Sequence, residues 1–208
     1  MSPSPPRLTD LTGLAGIALG LAALAVLGLR AVAAPWSRGR QVVGLAVVAG
    51  LLLVPIGALS AAEYVRGVTG DLSVTTLVLL LAAVFGPWIS RPPGSRHPWL
   101  VVQLALVAAA VALYPMALGV GPFDPYRLGY GSPWLLGALG GCTLAAWWAR
   151  RPLLAFGLGA AVLAWAFRGY ESGNLWDYLI DPFAALYAVV ALVITGIRRV
   201  ARRQAWAG

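Results

Sequence analysis

The sequence predicts an all-α, polytopic membrane helix bundle of about seven transmembrane helices, with its N-terminus outside and its C-terminus in the cytoplasm. Three observations carry this prediction. Hydrophobic residues make up 60% of the 208 positions and charged residues 11%, a balance outside the range of water-soluble domains. The apolar residues fall into seven runs separated by turn-forming and charged residues. The ionisable residues also sort by connection. All seven acids, Asp10, Glu63, Asp71, Asp124, Glu171, Asp177 and Asp181, lie in the N-terminal tail or in even-numbered connections. Arg30, Arg38, Arg40, Arg91, Arg96, Arg150, Arg151, Arg198, Arg199, Arg202 and Arg203 lie in the odd-numbered connections and the C-terminal tail, which contain no acid. Arginine-rich connections face the cytoplasm. That rule gives acids little weight, so their segregation is a second, independent regularity.

The first run, Leu11–Leu29, follows a short tail, residues 1–10, expected to be disordered. Arg7, the run and Ala31–Val32–Ala33 together imitate a signal peptide. The run is too long for one, and cleavage would put Arg38 and Arg40 outside, so it is taken as a retained span. The runs Val42–Ala62, Leu72–Ser90 and Trp99–Gly119 likewise reach the ~20 residues that a bilayer core of about 30 Å requires. Pro133–Ala149, Pro152–Phe167 and Pro182–Ile197 are shorter, and they span if flanking Trp and Arg side chains reach into the interface. Pro98, Pro133, Pro152 and Pro182 stand where a first helical residue would, a position whose N–H needs no partner. Ser132 and Asp181 precede two of them as caps. Pro55 and Pro115 should kink the second and fourth helices. The basic segment 198–208 forms a cytoplasmic tail, and the whole chain is one integral membrane domain.

Small residues mark the packing faces. Gly13, Gly16, Gly20 and Ala23 share one side of the first span, Gly137 and Gly141 form a GxxxG in the fifth, and Gly157, Ala160, Ala161 and Ala164 line the sixth. Close backbone approach replaces the hydrophobic drive that helices lack in lipid. The GxxxG is expected to serve packing within the chain.

Absences exclude many chemistries. All fifteen basic residues are arginine, which fits a GC-rich bacterial genome and excludes a lysine Schiff base with retinal, pyridoxal phosphate or a carbonyl substrate. Cys142 is the single cysteine, so no intramolecular disulfide or CxxC metal pair exists; it reads as a small buried hydrophobe. The only histidine, His97, falls at the cytoplasmic edge of the fourth span. Paired-histidine haem ligation, a zinc site and a Ser–His dyad within the spans are therefore excluded, and no cofactor is expected. No ionisable residue occupies the middle of a span, which counts against ion-coupled transport. The net charge of +8 is a topology signal rather than a nucleic-acid footprint.

The remaining polar chemistry gathers in the outer connections, where Asp124, Tyr126, Arg127, Arg168, Glu171, Trp176, Asp177 and Asp181 are the candidate ligand-binding set. Leu175, Trp176, Leu179 and Ile180 fall on one helical face, which predicts a short helix lying on the membrane before the last span. Asp177 and Asp181, four residues apart, should repel unless a cation or an arginine such as Arg127 or Arg168 compensates them. Interfacial Tyr and Trp and a capping role for Asp181 explain the same residues without a ligand. The function class left by these readings is a non-catalytic multi-pass protein of a bacterial inner membrane, an accessory or assembly subunit of a larger envelope system. Its partners are the lipid bilayer and another membrane protein, without nucleic acid. Two alternatives are a membrane-embedded enzyme acting on a lipid-linked substrate at the outer face and a small-solute facilitator.

Overall fold

The computed structural model describes residues 7–32, 36–86 and 98–205. Among these the chain forms nine α-helices, one short 3-10 turn and one two-residue-per-strand hairpin. Three helices are long and apolar enough to cross a membrane: α1 (Leu8–Val32), α5 (Pro98–Ala117) and α9 (Pro182–Ala205). α2 (Arg38–Leu52), α4 (Val74–Phe85), α6 (Pro133–Trp148) and α7 (Pro152–Ala166) are shorter. The connection carrying Arg91, Arg96 and His97, the would-be cleavage site at Ala33 and the last three residues lie outside the described residues.

The proline punctuation holds. α5, α6, α7 and α9 each open on the proline expected to start them. Asp181 caps α9, its Oδ1 accepting the Ala184 N–H at 2.7 Å, whereas Ser132 makes no side-chain cap bond on α6. Pro115 lies inside α5, two residues from its end. Leu8, Thr9 and Asp10 already form the first turn of α1, and α9 carries the basic segment onward as helix to Ala205.

The second predicted span departs from expectation. α2 stops at Leu52, the chain turns back through β1 (Pro55–Ile56) and β2 (Leu59–Ser60), and an amphipathic helix, α3 (Ala61–Thr69), follows. Pro55 does more than kink the helix. It lacks the N–H the next turn needs and pushes Val54 away from helical backbone. Gly57 then adopts φ +83, the left-handed region required at the first position of a two-residue hairpin turn. Ser60 and Glu63 form a reciprocal capping box that starts α3. With 15 residues, α2 is about 22 Å long.

α1 is the organising element. Gly13, Gly16 and Gly20 face the start of α4 and its approach; a Cβ on Gly16 would stand 3.3 Å from the Leu77 side chain. Ala22, Ala23 and Val26 are buried with Leu45 of α2 and Val84 of α4. α2 runs antiparallel to α1, placing Leu45 beside Val26 and Leu52 beside Leu14 and Ile17. α4 runs parallel to α1, since Arg30 donates to the Val84 carbonyl at 2.8 Å while Asp10 and Asp71 share a partner at the other end. Gly157 and Ala161 of α7 are buried as their spacing implied. The GxxxG of α6 is not used in that way. A Cβ on Gly137 or Gly141 would meet nothing within 4 Å, and Cys142 beside them is exposed rather than buried.

Candidate functional site

Six of the seven acids fall into three polar clusters built on the starts of α1, α4 and α9 and the connections beside them, and the seventh, Glu63, closes the capping box of α3. The deepest is built on Asp181, which is 6% exposed. Its Oδ1 accepts the Ala184 N–H in the first turn of α9. Its Oδ2 accepts the Ser73 N–H at 2.8 Å and the Thr76 hydroxyl at 2.6 Å at the start of α4. One carboxylate therefore serves the N-termini of two helices, where partial positive charge from aligned peptide dipoles also favours an anion. Ser73 is itself the side-chain cap of α4, accepting from the Thr76 N–H.

The second cluster locks the fourth connection to the sixth. Asp124 accepts the Tyr126 N–H at 2.9 Å and thereby opens the 3-10 turn Pro125–Gly129. The Tyr126 phenol donates to both oxygens of Asp177, at 3.0 and 3.1 Å, and the Ser172 hydroxyl donates to the same carboxylate. Asn174 is fully buried. Its amide donates to the Tyr126 carbonyl, and its Oδ1 accepts the Trp176 N–H, each at 2.9 Å. The Trp176 indole donates to the Pro125 carbonyl at 3.0 Å. Tyr178 stacks on Tyr170 with ring centroids 4.8 Å apart, accepts the Tyr170 N–H and donates to the Ser172 carbonyl. Burial raises the Tyr126 phenol above its usual range, and the Asp177 charge raises it further. Burial likewise raises Tyr170, helped by Asp71. Both phenols stay neutral at physiological pH, and that of Tyr126 acts as a donor.

This cluster corrects the short helix predicted to lie on the membrane. α8 (Trp176–Leu179) is one turn long, and Leu175, Leu179 and Ile180 are buried in the bundle rather than facing lipid. Asp181 is not on that helix but is the cap of the next. Asn174 and Trp176 determine this outcome, because their bonds to the Tyr126 and Pro125 carbonyls hold the segment against the fourth connection.

The third cluster is centred on Arg66 of α3. Its Nε lies 2.7 Å from Asp71, its Nη1 3.4 Å from Asp10 and its Nη2 3.9 Å from Glu171. The bond to Asp71 holds the guanidinium above its usual pKa. The absence of a side chain at Gly13 is what admits this group against α1, since a Cβ there would lie 2.8 Å from Nη2. Thr12 reaches the Gly169 carbonyl beside it. Arg66 and Asp71 were not among the predicted ligand residues. Asp71, five residues on, is a local partner of Arg66, but Asp10 lies 56 residues before it and Glu171 on the sixth connection.

The predicted set is thus split rather than convergent. Asp177 pairs with Tyr126 and Ser172, Asp181 with two helix starts, Glu171 with Arg66, and Asp124 with its own turn. Arg127 and Arg168 are exposed and pair with none of the seven acids, so neither compensates Asp177 or Asp181 as expected. Hydrogen-bond donors do so instead, through hydroxyls and helix N–H groups. Among the described residues, no three His, Cys, Asp or Glu side chains form a group able to hold a metal ion. What the arrangement does chemically is fasten the second, fourth and sixth connections and three helix starts into one cross-linked layer. No family model matches this chain, and neither a curated protein nor a solved structure does.

Proposed function

We propose that the chain is a multi-pass protein of a bacterial inner membrane, crossing seven times with its N-terminus outside and its C-terminus in the cytoplasm. In this reading it is a non-catalytic accessory or assembly subunit that docks against another membrane protein. The seven crossings are α1, α2 with its hairpin, α4, α5, α6, α7 and α9. The segregation of acids and arginines supports the orientation.

The observation that carries the subunit reading is the outward face of α6. Gly137, Gly141 and Ala145 recur every four residues and are exposed, with Trp134 and Trp148, 84% and 90% exposed, at the two ends of the same face. Small residues let a second helix backbone approach closely, and flanking tryptophans set such a helix at membrane depth. The other small-residue faces, on α1 and α7, are filled by the chain itself. The enzyme alternative requires carboxylates free to act, and here Asp177 and Asp181 are committed to scaffold donors.

In gentle detergent the chain should co-purify with another membrane protein. Gly141→Leu should cut that recovery about tenfold, equivalent to ~1.4 kcal/mol, while leaving the melting temperature of the isolated chain unchanged. Full co-purification by Gly141→Leu, or turnover by the isolated chain abolished by Asp177→Ala, would overturn the reading. Orientation is checked separately in a Cys142→Ala background. An impermeant thiol reagent applied to outer-membrane-permeable cells should label Ser172→Cys and spare Ser37→Cys, and the reverse pattern excludes the proposed topology.

A further inference from the structure

α1, α3, α4, α5 and α9 enclose a sideways-opening groove of about 370 Å³. Its wall along α1 runs from Ile17 to Leu27, ten residues or about 15 Å of helix. Opposite lie Leu80 and Ala83 of α4, Trp99 of α5 and Phe183 of α9. Three of the polar side chains in the wall have partners within the protein. Thr69 bonds to the Val65 carbonyl, Thr76 to Asp181, and the Tyr187 hydroxyl to the Gln103 amide at 3.3 Å. The groove is lined mainly by apolar side chains, and the medium around helices of this kind is hydrocarbon. Six leucines and bulky Trp99, Phe183 and Tyr187 outnumber the small residues Gly20, Ala83 and Ala184 in its lining, so it suits a flexible chain better than a second helix backbone.

One end of the groove carries a charge. Arg30 lies one turn beyond Leu27 on the same side of α1, and its Nη1 donates to the carbonyl of Val84, the neighbour of the groove residue Ala83. A guanidinium has five N–H donors in a planar fork, and the others of Arg30 have no partner among the described residues. We propose that the groove holds one acyl chain of an anionic phospholipid whose phosphate is taken by Arg30. A guanidinium pairs with phosphate in two-pronged geometry and without titrating. The acyl chain then runs from that end toward the layer of acids, along leucine walls the protein leaves open. This inference rests on the bundle sitting in a bilayer.

The test uses the full chain, stripped of native lipid in detergent and offered phosphatidylglycerol or phosphatidylcholine with identical acyl chains, with retention read by native mass spectrometry. The wild type should keep one phosphatidylglycerol, in about tenfold preference to phosphatidylcholine. Arg30→Gln should abolish the preference, and Arg30→Lys should restore most of it. Leu24→Trp, at an exposed groove position, should reduce retention of both lipids. Phosphatidylglycerol with a photoreactive acyl chain should crosslink to Leu24, Leu27 or Ala83. Equal retention of the two lipids by the wild type, an unchanged preference in Arg30→Gln, or crosslinks confined to other helices would overturn the proposal. A chain that stays monomeric in buffer without detergent would instead remove the membrane reading beneath it.

Discussion

Asp181→Ala should destabilise the protein by about 3–5 kcal/mol, one of the largest single effects in the molecule. The substitution leaves three donors, the Ser73 and Ala184 N–H groups and the Thr76 hydroxyl, without their acceptor at the junction of α4 and α9. A hydrogen bond to a charged group is worth about 1.5–3 kcal/mol. The three do not simply add, because first-turn N–H groups recover part of the loss from water. Asp181→Asn should recover less than half, since an amide offers one acceptor and directs its own N–H toward one of the donors. Asp177→Ala removes a half-exposed carboxylate and should cost only about 1 kcal/mol. Thermal unfolding in detergent micelles ranks the three variants. An Asp181→Ala protein within 1 kcal/mol of wild type would show that the shared cap is not structural.

Gly129→Ala comes next, at about 2–4 kcal/mol. A Cβ there would lie 2.6 Å from Cγ of Asn174 and 2.8 Å from Cδ1 of Trp176. Asn174 cannot retreat, because it is fully buried and bonded at both ends of its amide. Overpacking costs about 1–3 kcal/mol, and a displaced Asn174 forfeits buried hydrogen bonds worth about 1 kcal/mol each. The Gly129 carbonyl also accepts the Leu175 N–H at 2.9 Å, so the fourth and sixth connections should loosen together. Faster proteolysis of both connections, alongside a lower melting temperature, is the expected signature. Gly137→Ala is the internal control. Open space there and the higher helix propensity of alanine should leave stability unchanged or raise it by up to ~1 kcal/mol. Equal losses in the two variants would refute the steric argument.

The sequence announced what depends on near neighbours. Prolines marked four helix starts because the missing N–H and fixed φ act within one turn, and Asp181 was legible as the cap of the helix it precedes. Its second role, at the start of α4, needs a contact across the fold that no spacing encodes. The break after α2 was only half legible. Pro55 announced a disturbance, and Ser60–Ala61–Ala62–Glu63 is a capping-box pattern that marks a helix start inside the second apolar run. Hydropathy runs through both without interruption, so apolar composition alone joined two segments that backbone chemistry separates. Asp71 stands five residues from Arg66, but Asp10 and Glu171 reach the same guanidinium only when α1, α3 and the sixth connection meet. The same limit applied to Gly137 and Gly141, whose spacing is equally suited to an internal or an external neighbour.

The carboxylate shared by α4 and α9 also has a consequence in time. Ser73 and Asp181 are 108 residues apart in the chain, so ribosomal synthesis delivers the donor long before its acceptor. Until the last helix enters, the first turn of α4 has only its own Ser73 hydroxyl to close it, and the nascent bundle stays unlatched on the side where α9 will pack. A chain lacking α9 would leave the Ser73 N–H and the Thr76 hydroxyl at the start of α4 without this acceptor.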